Sequence, residues 1–190
     1  MSTPLRLLPL ILFPLVAVSL PAQNNIYAPT KIAQMDAAAY LAPLPADGVV
    51  PLNVIAGDFA KNAPAAVGKY SNQRITVIGR ISALSQSSSE NKAMVVTLQD
   101  AGANLPAVKA DFLAGSIPQN SAIQVSSDGT QAFLIRRDRI GNILSQDLYL
   151  SVDQRVGIKG DFKEQKVSDI VLTACKLIPK SKLHELSGGK

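Results

Sequence analysis

The sequence predicts a mainly β fold: a small closed barrel of five strands in Greek-key order, entered through a helical segment and carrying an inserted β hairpin or meander between its third and fourth strands. One observation is a period of two that begins at Arg74, where Ile75, Val77, Gly79, Ile81 and Ala83 point one way and Arg74, Thr76, Arg80 and Ser82 mostly the other. A second is the return of that pattern, with its glycine in the same place, as Val156-x-Ile158-x-Gly160-x-Phe162. A glycine inside an otherwise strong strand permits a sharp bend or a close backbone approach, as when one long strand curls through both halves of a barrel.

The elements before the barrel are of a different kind. Residues 1–22 carry one cation, Arg6, then an apolar run from Leu7 to Leu20 and small residues at Ser19 and Ala22. That order predicts a cleavable Sec signal peptide, cut after Ala22 or after Ser19, and hence an exported protein, periplasmic or extracellular. Pro9, Pro14 and Pro21 interrupt the run, which works against an uncleaved spanning helix, and no second stretch reaches the roughly 20 apolar residues of a span. No stable membrane span is therefore expected after cleavage. Residues 23–56 read as an arm, in which Lys31 to Ala42 is a short helix stopped by Pro43. The barrel domain is expected over residues 57–180. Its entry, Gly57 to Gln73, reads as a helix capped by Asp58, with Phe59, Ala63 and Val67 on one side, broken into two turns by Pro64 and ended by Gly68.

After the first strand comes the polar run Ser85 to Lys92, a loop, and then two strands, Met94 to Asp100 and Leu105 to Leu113, joined by the turn Ala101 to Asn104. The region from Ala114 to Asp153 is longer than a connector requires. Its alternation in SAIQV and QAFLI, with turns at Asp128-Gly129 and Gly141-Asn142, predicts the inserted β segment. Val156 to Phe162 is the fourth strand and Asp169 to Ile178 the fifth; Pro179 closes the domain, and residues 181–190 form a flexible basic tail. Five strands with bends in the first and fourth are the arrangement of an OB-fold.

The same residues resemble the tRNA-anticodon-like OB-fold family of bacterial exported proteins. The likeness rests on Asn62 with Ala65 or Ala66, then Tyr70, then Val77 to Ile81, then Val156 to Gly160 and the strand Val171-Leu172-Thr173-Ala174-Cys175-Lys176-Leu177, and it spans roughly Phe59 to Ile178. It implies the barrel and an exported location. The long Ala114 to Asp153 segment departs from the compact family pattern, and a fold resemblance by itself does not imply binding to transfer RNA.

Composition excludes several chemistries. The chain is 47% hydrophobic and 17% charged, enough to bury a core, and its single cysteine rules out an intrachain disulfide and a cysteine-based zinc site. Cys175 alternates with Val171 and Thr173 on the last strand and reads as a small core residue rather than a reactive thiol. His184, the one histidine, lies in the tail without a nucleophile motif, and no HExxH or EF-hand loop occurs. No catalytic residue, metal or cofactor is expected, and the chain reads as a non-catalytic binding module.

The sharpest charge feature is Arg136-Arg137-Asp138-Arg139, on the inserted segment. If it lies on a hairpin, alternate cations would project together toward phosphates, acidic polysaccharide or an acidic protein face; the plainer reading is a solvated, charge-protected strand edge. Lys159 could extend the basic surface, and Ser87 and Ser88 in the Ser85 to Lys92 loop offer hydroxyls on the rim where OB-folds bind. The candidate ligand-binding residues are therefore Arg136, Arg137, Arg139, Lys159, Ser87 and Ser88. Net charge is +5, or +4 once Arg6 leaves with the leader, a mild basic bias that suits an anionic polymer. With no Trp, four Tyr and five Phe, the stacking surface that single-stranded nucleic acid requires is weak, and an exported address argues against nucleic acid as the resident partner. An envelope protein bound at a strand edge or through the Lys31 to Ala42 helix is the alternative partner.

Overall fold

The computed structural model describes residues 41–100, 104–166 and 169–186, with the side chain of residue 165 left out. The signal segment, the arm helix up to residue 40 and most of the Ala101 to Asn104 turn lie outside the described residues; Leu41 and Ala42, at the end of that helix, are not helical.

The strands are β1 (Val49–Pro51), β2 (Arg74–Gln86), β3 (Lys92–Leu98), β4 (Ala107–Leu113), β5 (Ser121–Val125), β6 (Gln131–Arg137), β7 (Ile143–Ser151), β8 (Arg155–Lys166) and β9 (Asp169–Leu177). The helices are α1 (Leu52–Tyr70) and α2 (Lys180–Leu186). Five strands close into a barrel in the order β2-β3-β4-β9-β8 and back to β2, with β4 and β9 parallel and every other barrel pair antiparallel. That is the OB-fold Greek key, with β5, β6 and β7 inserted between its third and fourth strands as a separate antiparallel sheet.

The long first strand serves both halves of the barrel. Arg74 to Arg80 pair with β8, and Ile81 to Gln86 pair with β3. A bulge between Ile81 and Ala83 shifts the pleat at that changeover, so the period of two does not run on through Ala83. Ala83 is exposed, and Leu84 takes the core position instead. The strands also reach into the expected polar loop, which shrinks to residues 87–91.

The two glycines of the repeated pattern mark close approaches. A Cβ on Gly79 would lie 2.8 Å from Cδ2 and 3.0 Å from Cβ of Leu52, so the missing side chain lets the start of α1 sit on β2. A Cβ on Gly160 would lie 2.7 Å from Cys175 Sγ and 3.1 Å from the Thr173 carbonyl oxygen. There β9 bulges between partners Lys176 and Thr173, with Ala174 in the left-handed region at φ 50°. Cys175 is wholly buried; burial, with the charges of Asp111 and Asp161, pushes its thiol from 9.0 up to about 12.

The entry helix corrects three expectations. It begins at Leu52, inside the segment read as an arm, and its apolar side presents Leu52, Ile55, Ala56 and Phe59 at helical spacing. Asp58 therefore lies within the helix and caps nothing. The break falls at Asn62 (φ −156°, ψ 85°), two residues before Pro64, where the Asn62 side chain accepts a hydrogen bond from the Ala65 N–H at 3.2 Å and caps the second half. Gly68 does not end the helix, which continues to Tyr70 and is closed by Ser71 donating to the Val67 carbonyl. β1, also within the expected arm, pairs parallel with Thr76, Val77 and Ile78. At the other end, residues expected in a flexible tail form α2, whose Leu183 reaches Gly157 of β8.

A single core joins these parts. Phe59 stacks on Tyr70 and on Phe162 of β8 at centroid distances of 5.9 and 5.8 Å. Ile123, Ala132, Leu134 and Leu150 of the inserted sheet belong to the same apolar cluster as Ile81, Leu84 and Met94 of the barrel. The insertion is thus docked on the barrel by one face of its near half.

Candidate interaction surface

The β6–β7 hairpin is built by its turns and then outruns the barrel. On the face turned to the barrel, Ala132, Leu134 and Leu150 are buried, whereas Arg136 and Asp147, farther along the same face, have side chains 61% and 55% exposed. The far half of that face is therefore open, whereas on the other face Ile135 is still buried before the strand reaches Arg137. Its turn is held by Asp138, whose carboxylate accepts hydrogen bonds from the Ile140 N–H (2.9 Å), the Asn142 N–H (2.8 Å) and the Asn142 side-chain amide (3.0 Å). Desolvation pushes the Asp138 carboxyl up, but these hydrogen bonds outweigh it and hold the group below the usual range. Gly141 completes the turn at φ 93°. The predicted turn at Asp128-Gly129 forms in the same way, with the Asp128 carboxylate accepting from the Ser126 and Thr130 hydroxyls and the Thr130 N–H.

The predicted site residues fall on three separate surfaces. Arg136 and Arg137 are consecutive on β6 and point to opposite faces: Arg136 stands 3.8 Å from Asp147, and Arg137 donates to the Gly141 carbonyl at 3.0 Å. Arg139 is exposed in the turn. The three arginines thus share one hairpin tip without forming the one-sided row expected of alternate cations. Ser87 and Ser88 sit in the β2–β3 turn. The Leu84 N–H donates to the Gly129 carbonyl and the Val125 N–H to the Gln86 side chain, which sets the opposite end of β6 against this part of β2. From there the arginine tip lies about 20 Å away, the length of a strand such as β6. Lys159 lies on the barrel, in β8, exposed between its cross-strand partners Thr76 and Lys176.

Two features were not foreseen. The first is apolar: Ile140 is 84% exposed, Leu144 69% and Ile143 56%, all at the same tip, and Leu148 is exposed farther down β7. The legible signal was the run Ile140-Gly-Asn-Ile143-Leu144, in which apolar residues flank a turn and two of them are consecutive, so that alternation cannot bury both. The second is a buried polar knot inside α1. Asp58 Oδ2 accepts from Lys69 Nζ and from the Tyr70 hydroxyl, each at 2.7 Å, and Lys69 Nζ lies 5.0 Å from the Tyr70 ring centre. Burial, followed by the Asp58 hydrogen bond and charge, drives the Tyr70 phenol far above its ordinary range. Because Asp58 precedes the break at Asn62 and its partners follow it, the knot ties the two halves of the helix together.

Clefts are small. One of about 270 Å³ lies between β8 and α2, lined by Tyr149, Val156, Leu177, Ile178 and Leu183; another of about 240 Å³ lies at the start of α1, lined by Leu52, Asn53, Gly79, Arg80, Asp100 and Arg155. Both fall below the roughly 300 Å³ at which small-molecule pockets begin. Among the described residues no group of His, Cys, Asp and Glu side chains is placed to hold a metal ion, and no helix is long and apolar enough to cross a membrane.

No family model matches the chain, and no curated protein matches it. Among solved structures, the chain is similar to a "putative nucleic acid-binding lipoprotein" from Klebsiella pneumoniae subsp. pneumoniae MGH 78578, with a TM-score of 0.45 and 15% identity over 76% of this chain and 97% of that one. A likeness of this degree assigns no function, and the OB-fold stands on its own strand pairings.

Proposed function

We propose that this chain is an exported, non-catalytic OB-fold interaction module that contacts an anionic partner through the tip of the β6–β7 hairpin. The observation that carries this reading is the placement of Arg136, Arg137 and Arg139 on a hairpin whose far half stands clear of the barrel. Exposed guanidinium groups on a projecting element meet a polyanion without a desolvated pocket, and such contacts weaken as salt screens them. The signal-peptide pattern and the resemblance to the tRNA-anticodon-like family support the exported address. Ser87, Ser88 and Lys159 stand on other surfaces and would serve a second contact.

The test is retention on heparin and dextran sulfate across a salt series, with single-stranded DNA in parallel, using protein recovered after export and processing. Retention should fall with salt, and the triple variant Arg136→Gln, Arg137→Gln, Arg139→Gln should elute earlier and with a shallower salt dependence. Identical elution of the two proteins would refute the reading. A second reading, capture of an envelope protein by strand addition, draws on the outer edge of β7, which pairs with no strand among the described residues. Pull-down of one discrete protein, with no polyanion retention, would favour it.

A further inference from the structure

Resting on the reading of the hairpin tip as an anion-contacting surface, we infer that the anionic partner is a phospholipid surface, and that Ile140, Ile143 and Leu144 enter it while Arg136, Arg137 and Arg139 meet its headgroups. A polyanion explains the arginines but leaves the apolar residues without a purpose. Ile140, the most exposed large apolar residue of the described chain at 84%, occupies the turn itself, where a solvated protein ordinarily places polar residues.

The arrangement around the tip separates a bilayer from a protein partner. Ile143 and Leu144 are consecutive, and both are more than half exposed; Arg136 and Arg137 are consecutive behind them and point to opposite faces. Ile143 is paired with Arg137 and Leu144 is the extra residue of a bulge beside it, so the exposed apolar side chains do not form one flat strand face, and cations stand one step farther back. A single docking partner would cover one face, whereas a lipid interface surrounds whatever enters it. Arg139, beside Ile140, has a side chain long enough to reach back to headgroup level while its stem stays among acyl chains. The acids do not cancel the match: Asp138 is turned inward on the turn's own N–H groups, and Asp147 meets Arg136 only in an exposed 3.8 Å pair, which leaves all three arginines open to phosphate.

The experiment uses the protein recovered after export, mixed with vesicles of phosphatidylglycerol and phosphatidylcholine or of phosphatidylcholine alone, and read by co-sedimentation. Because the chain has no Trp, Ile140→Trp supplies a single reporter whose emission should shift to the blue on the anionic vesicles and be quenched by bilayer-located bromolipid. The triple variant Ile140→Ser, Ile143→Ser, Leu144→Ser should lose about tenfold or more in vesicle affinity yet keep its salt-dependent retention on heparin. The arginine-to-glutamine variant should lose both. Any leader remaining on the protein is common to all of them, so the differences read the hairpin. Heparin retention without vesicle binding by the unaltered protein would overturn the lipid inference and leave the anionic reading standing; if the unaltered protein bound neither, both readings would fall. Vesicle binding unchanged in the serine variant, or an apolar tip covered in a concentration-dependent dimer that ignores vesicles, would also overturn it.

Discussion

The barrel and the inserted meander are both antiparallel in character and both read as alternating strands, but they resolve their edges in opposite ways. In the barrel, β2 is claimed by β8 along one half and by β3 along the other, and Ile75, Val77, Ile158, Leu172 and Met94 are wholly buried. The meander has three strands and an open edge at β7, and only its near half is tied into the common core. Closure removes edges and sets the inward face of every strand, whereas an open sheet longer than its support keeps whatever its outer residues bring. Stability is therefore expected to concentrate in the barrel and its entry helix, and partner contact in the hairpin tip.

Substitutions should separate the two regions by size of effect. The largest loss is expected from Asp58→Ala, which strands Lys69 with its side chain only 10% exposed and removes the acceptor of the Tyr70 hydroxyl; breaking such a buried pair costs about 3–5 kcal/mol, measurable as a lowered urea midpoint. Next is Gly160→Ala, whose added methyl meets Cys175 Sγ and the Thr173 carbonyl oxygen and should cost about 1–3 kcal/mol. Cys175→Ala beside it should recover part of that loss, and a double variant no better than the single one would mean that backbone crowding alone sets the cost. The smallest effect is expected from Arg136→Gln, which breaks an exposed 3.8 Å pair with Asp147 and should move stability by less than about 1 kcal/mol while still weakening retention on heparin. A hairpin substitution as damaging as Asp58→Ala would erase the division between the regions.

The division also has a pH signature. The Cys175 thiol ionises near 9.0 in an ordinary setting and near 12 in the fold, so between those values the unfolded chain gives up its proton first. Stability should fall as pH rises through that window, and Cys175→Ala should lessen the fall. Thiol reagents at neutral pH should reach Cys175 only after unfolding.

Legibility cut across that boundary. Gly79 and Gly160 announced bent strands because a glycine in a strong apolar alternation has few other uses, and both proved to be sites of close approach. Cys175 is a core residue as read, but not by its period: Val171 and Thr173 are only half-buried, Ile170 and Leu172 hold the core face, and the bulge at Ala174 turns Cys175 back inward. Misreadings fell where one contact overrides a local rule: Asp58 has the chemistry of a cap, but Lys69 and Tyr70 claim it from the next half of the helix. Ala83 follows the period of two, but the bulge after Ile81 hands its place to Leu84.

By itself the sequence determined the β character, the barrel strands, the insertion with its two turns, and the exclusion of an intrachain disulfide, since these depend on residue types and their local spacing. Only the tertiary structure decided where α1 begins, that Asp58 is a buried partner, and that the arginines stand with Ile140, Ile143 and Leu144 on a tip clear of the barrel. Exposure and charge pairing depend on how far a strand runs past its support, a length set by packing between elements distant in the chain.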